Sequence, residues 1–270
     1  MRTASLPAMP DAFYVPDGDL FVPTALTRGP WSAEAQHAGP PAALIARAIE
    51  SLEPRELSLA RFTLDVLRPV PLEPLAVEAR AVRSGRSTQY AEATLSDGEG
   101  AIAHATAWRI GGEPREELDI DPVPPPGPED AGPAPFFEPG WSPSYFDAME
   151  WRLARGALAE PGPAAVWMRM RCALVEGEEP SPAARVLVAA DSGNGISWAL
   201  PLGTTLFINT EITVHLVRMP EGEWVCLDAH TRVGPMGVGL AESVLWDQRG
   251  MIGRGAQSLL VASRRPSGAP

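Results

Sequence analysis

Shifted by 150 residues, the chain aligns with itself without a gap from Arg61 to Trp108. The run Arg61-Phe62-Thr63-Leu64-Asp65-Val66-Leu67-Arg68 falls on Glu211-Ile212-Thr213-Val214-His215-Leu216-Val217-Arg218. Further along, Ala91-Glu92 matches Ala241-Glu242, Leu95 matches Leu245, Asp97 matches Asp247, and Gly100-Ala101-Ile102 falls on Gly250-Met251-Ile252. Ten of the 48 aligned positions are identical, and most of the remaining apolar pattern agrees. A period this long is a whole folding unit rather than a short solenoid module. The repeat also provides an internal comparison, in which a residue that is polar in one copy and apolar in the other is a candidate site.

Each copy reads as strand, helix and antiparallel meander. The first opens with an extended run, Leu20–Leu26, a turn at Gly29-Pro30-Trp31, and a helix from Ala42 to Glu50 entered through Gly39-Pro40-Pro41. Proline suits the first helical turn because its missing N–H would be unpaired there. Four extended runs follow, at about 56–68, 74–84, 87–96 and 101–110, separated by Pro, Gly or Asp-Gly signals. Residues 113–135 are acidic and then rich in Pro and Gly; without periodicity they are expected to be an extended linker that packs no core. The second copy repeats the order with a strand over 165–174, a helix over 181–190, and strands near 205–218, 223–232, 237–246 and 251–262. The tail 264–270 is expected to fray. A helix against a curved antiparallel sheet, twice over, is an α+β layer arrangement in which the two sheets pair side by side and cover each other's edges. The implied units are 1–112 and 136–270.

A net charge of −12 and a pI near 4.8 argue against nucleic acid or an anionic membrane as partner. Any phosphorylated ligand would need a local group of arginines or backbone N–H groups. Arg61, Arg68, Arg80, Arg83 and Arg86 are close enough in sequence to meet phosphates, although solvated strand-edge charge is the plainer role. Cys172 and Cys226 lie in apolar strand-like runs and read as buried free thiols. Met1–Ser5 lacks the apolar core of a secretion signal and no 18-residue apolar run occurs, so the expected location is the cytoplasm. No histidine pair has metal-ligand spacing and no CxxC occurs; Gly-x-Ser-x-Gly, GxGxxG and P-loop motifs are also missing. No cofactor is therefore expected.

The run Gly29-Pro30-Trp31 with Gln36-His37-Ala38-Gly39-Pro40-Pro41-Ala42-Ala43-Leu44 resembles the first-half signature of thioesterase-like proteins with a double hotdog fold. In the second half, Ala190-Asp191-Ser192 closing a helix, Phe207-Ile208-Asn209-Thr210 opening a strand, and Gln257 in the last strand are similar to acyl-CoA thioesterase II. The resemblance implies a tandem hotdog, an acyl-CoA substrate, a place in fatty acid metabolism, and a homo-oligomer built as a dimer of double hotdogs. It also implies an Asp–Thr/Ser–Gln set that holds a hydrolytic water. Asp191 and Gln257 match its first and last members. At the middle, Asn209 stands where those enzymes carry another aspartate, Phe207 lies near their hydroxyl, and Thr205, Thr210 or Asn209 itself fills the role.

The residues have readings of their own. Asp191 ends an apolar helix, where an acid opposes the helix dipole and its pKa should rise, suiting a general base. Under the 150-residue shift Gln257 faces Ala107 and Asn209 faces Leu59, and an amide in an apolar strand pattern needs buried partners. That asymmetry predicts one polar site per chain. His37 and Gly39 precede the first helix, where backbone N–H groups would favour a developing oxyanion. His104, His215 and His230 read as ordinary strand residues. Hydrolysis of an acyl thioester by an aspartate-activated water is the expected chemistry. The alternatives are a non-catalytic acyl-CoA or lipid carrier and an acyl-CoA dehydratase, whose chemistry wants an Asp/His pair that the sequence does not single out.

Overall fold

The computed structural model describes residues 10–113, 123–134 and 140–264; the expectations for the first residues, for 114–122, for 135–139 and for the tail 265–270 lie outside them. The first half contains β1 (Ala12–Asp17), β2 (Leu20–Pro23), α1 (Gly39–Glu50), β3 (Ser58–Val66), β4 (Leu75–Ser84), β5 (Thr88–Asp97) and β6 (Gly100–Ile110). The second contains β7 (Gly132–Pro133), β8 (Met149–Arg155), β9 (Ala164–Met170), β10 (Ala173–Val175), α2 (Pro182–Ala190), α3 (Gly193–Ile196), β11 (Thr205–Asn209), β12 (Glu211–Leu216), β13 (Val225–Val233), β14 (Val238–Asp247) and β15 (Gly250–Ser263). All strands join one sheet, in which β3 and β12 form the seam between the halves.

The seam carries the repeat in its register. β3 and β12 are antiparallel with Thr63 opposite Thr213, so each residue at the centre faces its own repeat mate, and the two hydroxyls meet at 3.2 Å. A local two-fold axis therefore passes between them. The irregularities repeat as well. β3 shifts register against β6 at Ala60, and β15 passes from β11 to β12 at Thr210, which is 150 residues on. The bulge at Leu95/Ser96 recurs at Leu245/Trp246. Asp97 accepts from Arg68 and from the turn N–H groups of Glu99 and Gly100; Asp247 does the same with Arg218, Arg249 and Gly250. Arg68 is thus a hairpin clamp, and Arg80 pairs with Glu92, so these two serve the sheet. The helices α1 and α2 lie together on one face of this sheet, their buried Leu, Ile, Val and Ala side chains in one core with Phe62, Leu64, Leu95, Val214 and Leu245. This is the α+β tandem hotdog expected from the resemblance.

Four readings are corrected. The first half opens one strand earlier, at β1, and Ala25–Thr27 is a short 3-10 turn rather than strand. The run 165–174 breaks at Arg171-Cys172, and β10 crosses to pair in parallel with β1 of the other half; Cys172 is consequently half-buried in a turn, while Cys226 is buried and both are free thiols. The run 205–218 is two strands, parted by the bulge at Thr210. Finally, the Pro-rich segment does pack. Residues 123–134 lie over Trp167 and Trp246 on the helix-free face of the second half. Trp167 donates to the Pro126 carbonyl at 2.7 Å, Arg152 donates to that of Pro128 at 2.9 Å, and β7 pairs with β8. An extended Pro-rich strand needs few internal hydrogen bonds and presents carbonyls to such donors. Replacing residues 123–134 by a Gly/Ser run of equal length should lower stability by about 2 kcal/mol or more through exposure of these indoles, read as a lower urea midpoint.

Candidate active site

α1 has no capping side chain of its own: Ala38 occupies its N-cap and Pro40 and Pro41 have no N–H to offer. The missing anion comes from the other half. Asp191 is the C-cap of α2, and its carboxylate accepts the Ala38 N–H. It also meets His37 Nδ1 at 2.9 Å through Oδ2, and Asn209 Nδ2 at 2.8 Å and Gln257 Nε2 at 3.2 Å through Oδ1. Asp191 opposes the dipole of its own helix but sits at the positive end of α1, which the sequence reading did not foresee. Burial is the largest influence on its pKa and pushes it up. His37, the Ala38 N–H and the Asn209 amide together outweigh burial and hold the carboxyl below its ordinary value. The expected rise is thereby reversed.

His37 is fixed from several sides. Its own N–H donates to the Thr27 carbonyl, and the preceding Gln36 is tied to Val70, Pro71 and Tyr14. The imidazole stacks on Tyr145 with ring centres 3.7 Å apart and planes 6° from parallel. Tyr145 is buried, and its hydroxyl donates to the Val188 carbonyl at 2.8 Å and contacts Ser192 Oγ at 3.0 Å. His37 Nδ1 lies 2.9 Å from Asp191 Oδ2, with the Gly39 nitrogen 3.3 Å from the same ring atom, so the contact to the carboxylate is the shorter of the two. An Asp/His pair does therefore share the site, contrary to the expectation that none stands out. Chain proximity could not reveal it, because 154 residues separate the two.

Of the six predicted residues, His37, Asn209 and Gln257 meet Asp191 directly, Thr210 lines the same cavity without bonding to the carboxylate, and Gly39 lies outside the cavity lining. The missing Cβ of Gly39 faces the Val188 carbonyl, where a methyl would stand 2.3 Å from the oxygen. Its N–H is directed to His37, and it does not line the cavity. Gly39 therefore lets α1 approach α2, and His37 and Ala38 of the same helix entrance line the cavity in its place. Thr210 is exposed at the bulge; its hydroxyl donates to the Ser258 carbonyl and makes no bond to Asp191. Thr205 pairs along β15 at Ser263, leaving Asn209 as the side chain beside the carboxylate. Gln257 stands behind Asp191, not in front of it: its Nε2 also reaches the Asp191 carbonyl, and its Oε1 accepts the Asn194 N–H at 3.0 Å.

An apolar cavity of about 450 Å³ opens in front of His37, Asp191 and Asn209, walled by Trp31, Val70, Phe146 and Leu202 among others, with Asn194 and Gly195 of α3 at its polar end. Sequence reasoning missed Tyr145 and Asn194. The first carried no polar-apolar contrast, and the second lay in the loop Asp191–Gly195 that looked like ordinary turn chemistry. The repeat-related position in the first half is closed. Leu59 and Ala107 replace the amides, and the buried Arg109 binds the carbonyls of Leu52, Pro54 and Leu57. Glu50 at the end of α1 reaches the N-cap Ser181 of α2 only through its hydroxyl, and burial raises its pKa.

The sequence matches two family models, the acyl-CoA thioesterase N-terminal domain over residues 27–110 and the acyl-CoA thioesterase C-terminal domain over 128–261. Among solved structures it resembles a putative thioesterase from Novosphingobium aromaticivorans, with a TM-score of 0.72 and 20% identity over 94% of this chain and 99% of that one. A putative thioesterase II from Thermobifida fusca gives 0.71 and 18%, covering 93% and 96%. An acyl-CoA thioesterase II, TesB2, from Mycobacterium marinum gives 0.63 and 16%, covering 87% and 92%. No curated protein matches it in sequence. The family models span most of the chain, so it belongs to the acyl-CoA thioesterase family, a class of thioester hydrolases. Among the described residues no helix is long and apolar enough to cross a membrane.

Two outcomes follow. Gly39→Ala should cost about 2 kcal/mol or more, since a backbone carbonyl is what the methyl meets, seen as a lower urea midpoint. A carboxyl held below its unfolded value of about 3.9 contributes stability above that pH and loses it as pH falls through the folded value. Asp191→Asn should therefore flatten the acid limb of the stability curve below about pH 4, measured by urea midpoints across that range.

Proposed function

We propose that this chain hydrolyses acyl-CoA thioesters by a water activated at Asp191, without a covalent acyl-enzyme. The supporting observation is the convergence of Asp191, His37 and Asn209 on one wall of a largely apolar cavity, with the repeat-related position closed. In the proposed step the water oxygen attacks the thioester carbonyl carbon and its proton passes to Asp191. The C–S bond breaks, and the thiolate of coenzyme A leaves with a proton as the free thiol, giving the carboxylic acid. Asn209 donates one amide hydrogen to Asp191 and keeps the other for the water or the developing oxyanion, which the Asn194 side chain also approaches. Gln257 positions Asp191 and α3 from behind. Tyr145 fixes the plane of the His37 ring, whose Nδ1 lies 2.9 Å from the carboxylate.

A second assignment of the base has an observation of its own. The Asp191 carboxylate already accepts from Ala38, His37, Asn209 and Gln257, which fills its usual acceptor positions. His37 Nε2 would then take the proton, with Asp191 orienting the ring. Both assignments place the reaction in the same cavity and need the same residues.

Incubation with a panel of acyl-CoAs and a thiol reagent should show thiol release without the absorbance change of an enoyl group. Binding without release would replace hydrolysis by a carrier role, and an enoyl signal alone would indicate a dehydratase. Asp191→Asn should cut turnover by about 10²-fold or more, the usual scale for a lost general base, and Gln257→Ala by less. His37→Gln decides the base: loss matching that of Asp191→Asn assigns it to His37, and near-normal turnover assigns it to Asp191.

A further inference from the structure

The cavity opens past Trp31, Leu67 and Ile208, apolar side chains that line it and stay exposed, Trp31 by 39%. A charged headgroup carried by a buried acyl group has to remain in water, because an ion buried without a partner is costly. A cation that recognises such a headgroup therefore belongs at this mouth. The lining does not oppose an anion there. Among the described residues Asp191 is its one acid, and that carboxylate is turned to His37, Asn209 and Gln257.

Arg68 and Arg264 both stand at the opening, in different states. Arg68 lines the cavity, but its guanidinium is held by Asp97 and by the carbonyls of Gly100 and Ala101. Arg264 follows directly on β15, and its N–H donates to the Thr204 carbonyl at 2.8 Å, two residues beyond the cavity residue Leu202. Its guanidinium carbon lies 5.6 Å over the Trp31 ring, within the range of a cation–π contact. The side chain is exposed and makes no ion pair or hydrogen bond among the described residues. Eleven arginines of this acidic chain are taken up by carboxylates, and Arg264 is not. The arginines that cluster in sequence serve elsewhere, Arg61 donating to Thr106 and Arg80 pairing with Glu92.

Resting on the hydrolase reading above, we propose that Arg264, held on the Trp31 ring, is the phosphate subsite for coenzyme A. It selects a thioester of coenzyme A over the same thioester without the nucleotide. A guanidinium suits this task because its planar fork matches phosphate oxygens, and the indole beneath fixes its plane. The spacing agrees. Arg264 follows Gln257, which touches Asp191 from behind, by seven residues, or about 24 Å of extended strand. The pantetheine arm from sulfur to the first phosphorus is as long as about four residues of extended chain, or ~14 Å. The phosphates of a thioester held before Asp191 thus fall between the carboxylate and the end of β15, where the Arg264 side chain reaches back over Trp31. Arg264 touches no reacting atom, so its effect belongs to affinity rather than to the chemical step.

Calorimetric titration with coenzyme A and with pantetheine, which lacks the phosphates and the nucleotide, tests this without requiring hydrolysis. Arg264→Ala should weaken coenzyme A about fivefold or more, the scale of one charge-assisted contact at an exposed site, and should leave pantetheine affinity as it was. Arg264→Glu should weaken coenzyme A further, and Arg264→Lys should recover most of the loss. The affinity of the unmodified chain for coenzyme A should fall towards 1 M salt, where the screening length drops from ~10 to ~3 Å, and that of Arg264→Ala should fall less. Unaltered coenzyme A affinity in Arg264→Ala and Arg264→Glu, or equal weakening of coenzyme A and pantetheine, would overturn the subsite. Thiol release reports separately on hydrolysis: selective loss of coenzyme A in a chain that releases no thiol keeps the subsite and sinks the hydrolase reading.

Discussion

A carboxylate from one half caps a helix in the other, and the site is organised around that contact. α1 begins Ala38-Gly39-Pro40-Pro41 with no side chain to satisfy its first N–H groups, and Asp191 supplies the anion from the end of α2. The approach depends on Gly39, since any Cβ there would meet the Val188 carbonyl. With the helix ends in contact, His37, Asn209 and Gln257 are placed by elements that already surround the carboxylate. A buried ion costs free energy unless it is paired and hydrogen-bonded, and here three side chains and a backbone amide meet that demand.

The repeat shows how a symmetric scaffold acquires one reaction centre. Strand register, two bulges and the Arg–Asp hairpin clamp are kept in both halves. The amides of one half are Leu59 and Ala107 in the other, and Arg109 fills the space with a guanidinium bound to carbonyls. The two helix-end carboxyls have diverged in the same way. Asp191 is held below its usual range by direct donors, whereas Glu50, reached chiefly through a hydroxyl, is raised by burial. Environments that push equivalent acids apart are how one fold separates a chemical role from a structural one.

The outer face of the sheet obeys different constraints in its two regions. Over the second half, Trp167 and Trp246 are covered by the Pro-rich strap, which is why that segment is ordered where periodicity gave no reason to expect it. At the seam no described element covers the sheet, and the side chains there are charged, aromatic or small. A continuous sheet of this size avoids open edges at its centre, but it exposes a broad face whose composition decides what it meets.

The amino-acid sequence by itself determined the architecture. A gap-free 150-residue repeat, strands broken by Gly and Pro, and prolines at the helix start are local or periodic signals that any single-chain reading can recover. It also marked Asn209 and Gln257, because an amide where the other copy has Leu or Ala is visible without coordinates, and Asp191 through its place at a helix end and the family resemblance. Only the tertiary structure decided what those residues do. The His37–Asp191 pair, the Tyr145 stack and the helix-end contact join residues more than 100 positions apart, and their strengths depend on burial and direction that spacing does not encode. Gly39 and Thr210 show the converse: both had the right residue type at the right place in the pattern, yet a neighbouring carbonyl and a strand bulge set their roles. The direction of the Asp191 pKa shift was decided in the same way, by His37, the Ala38 N–H and the Asn209 amide, which gather at the carboxylate only once the halves are joined.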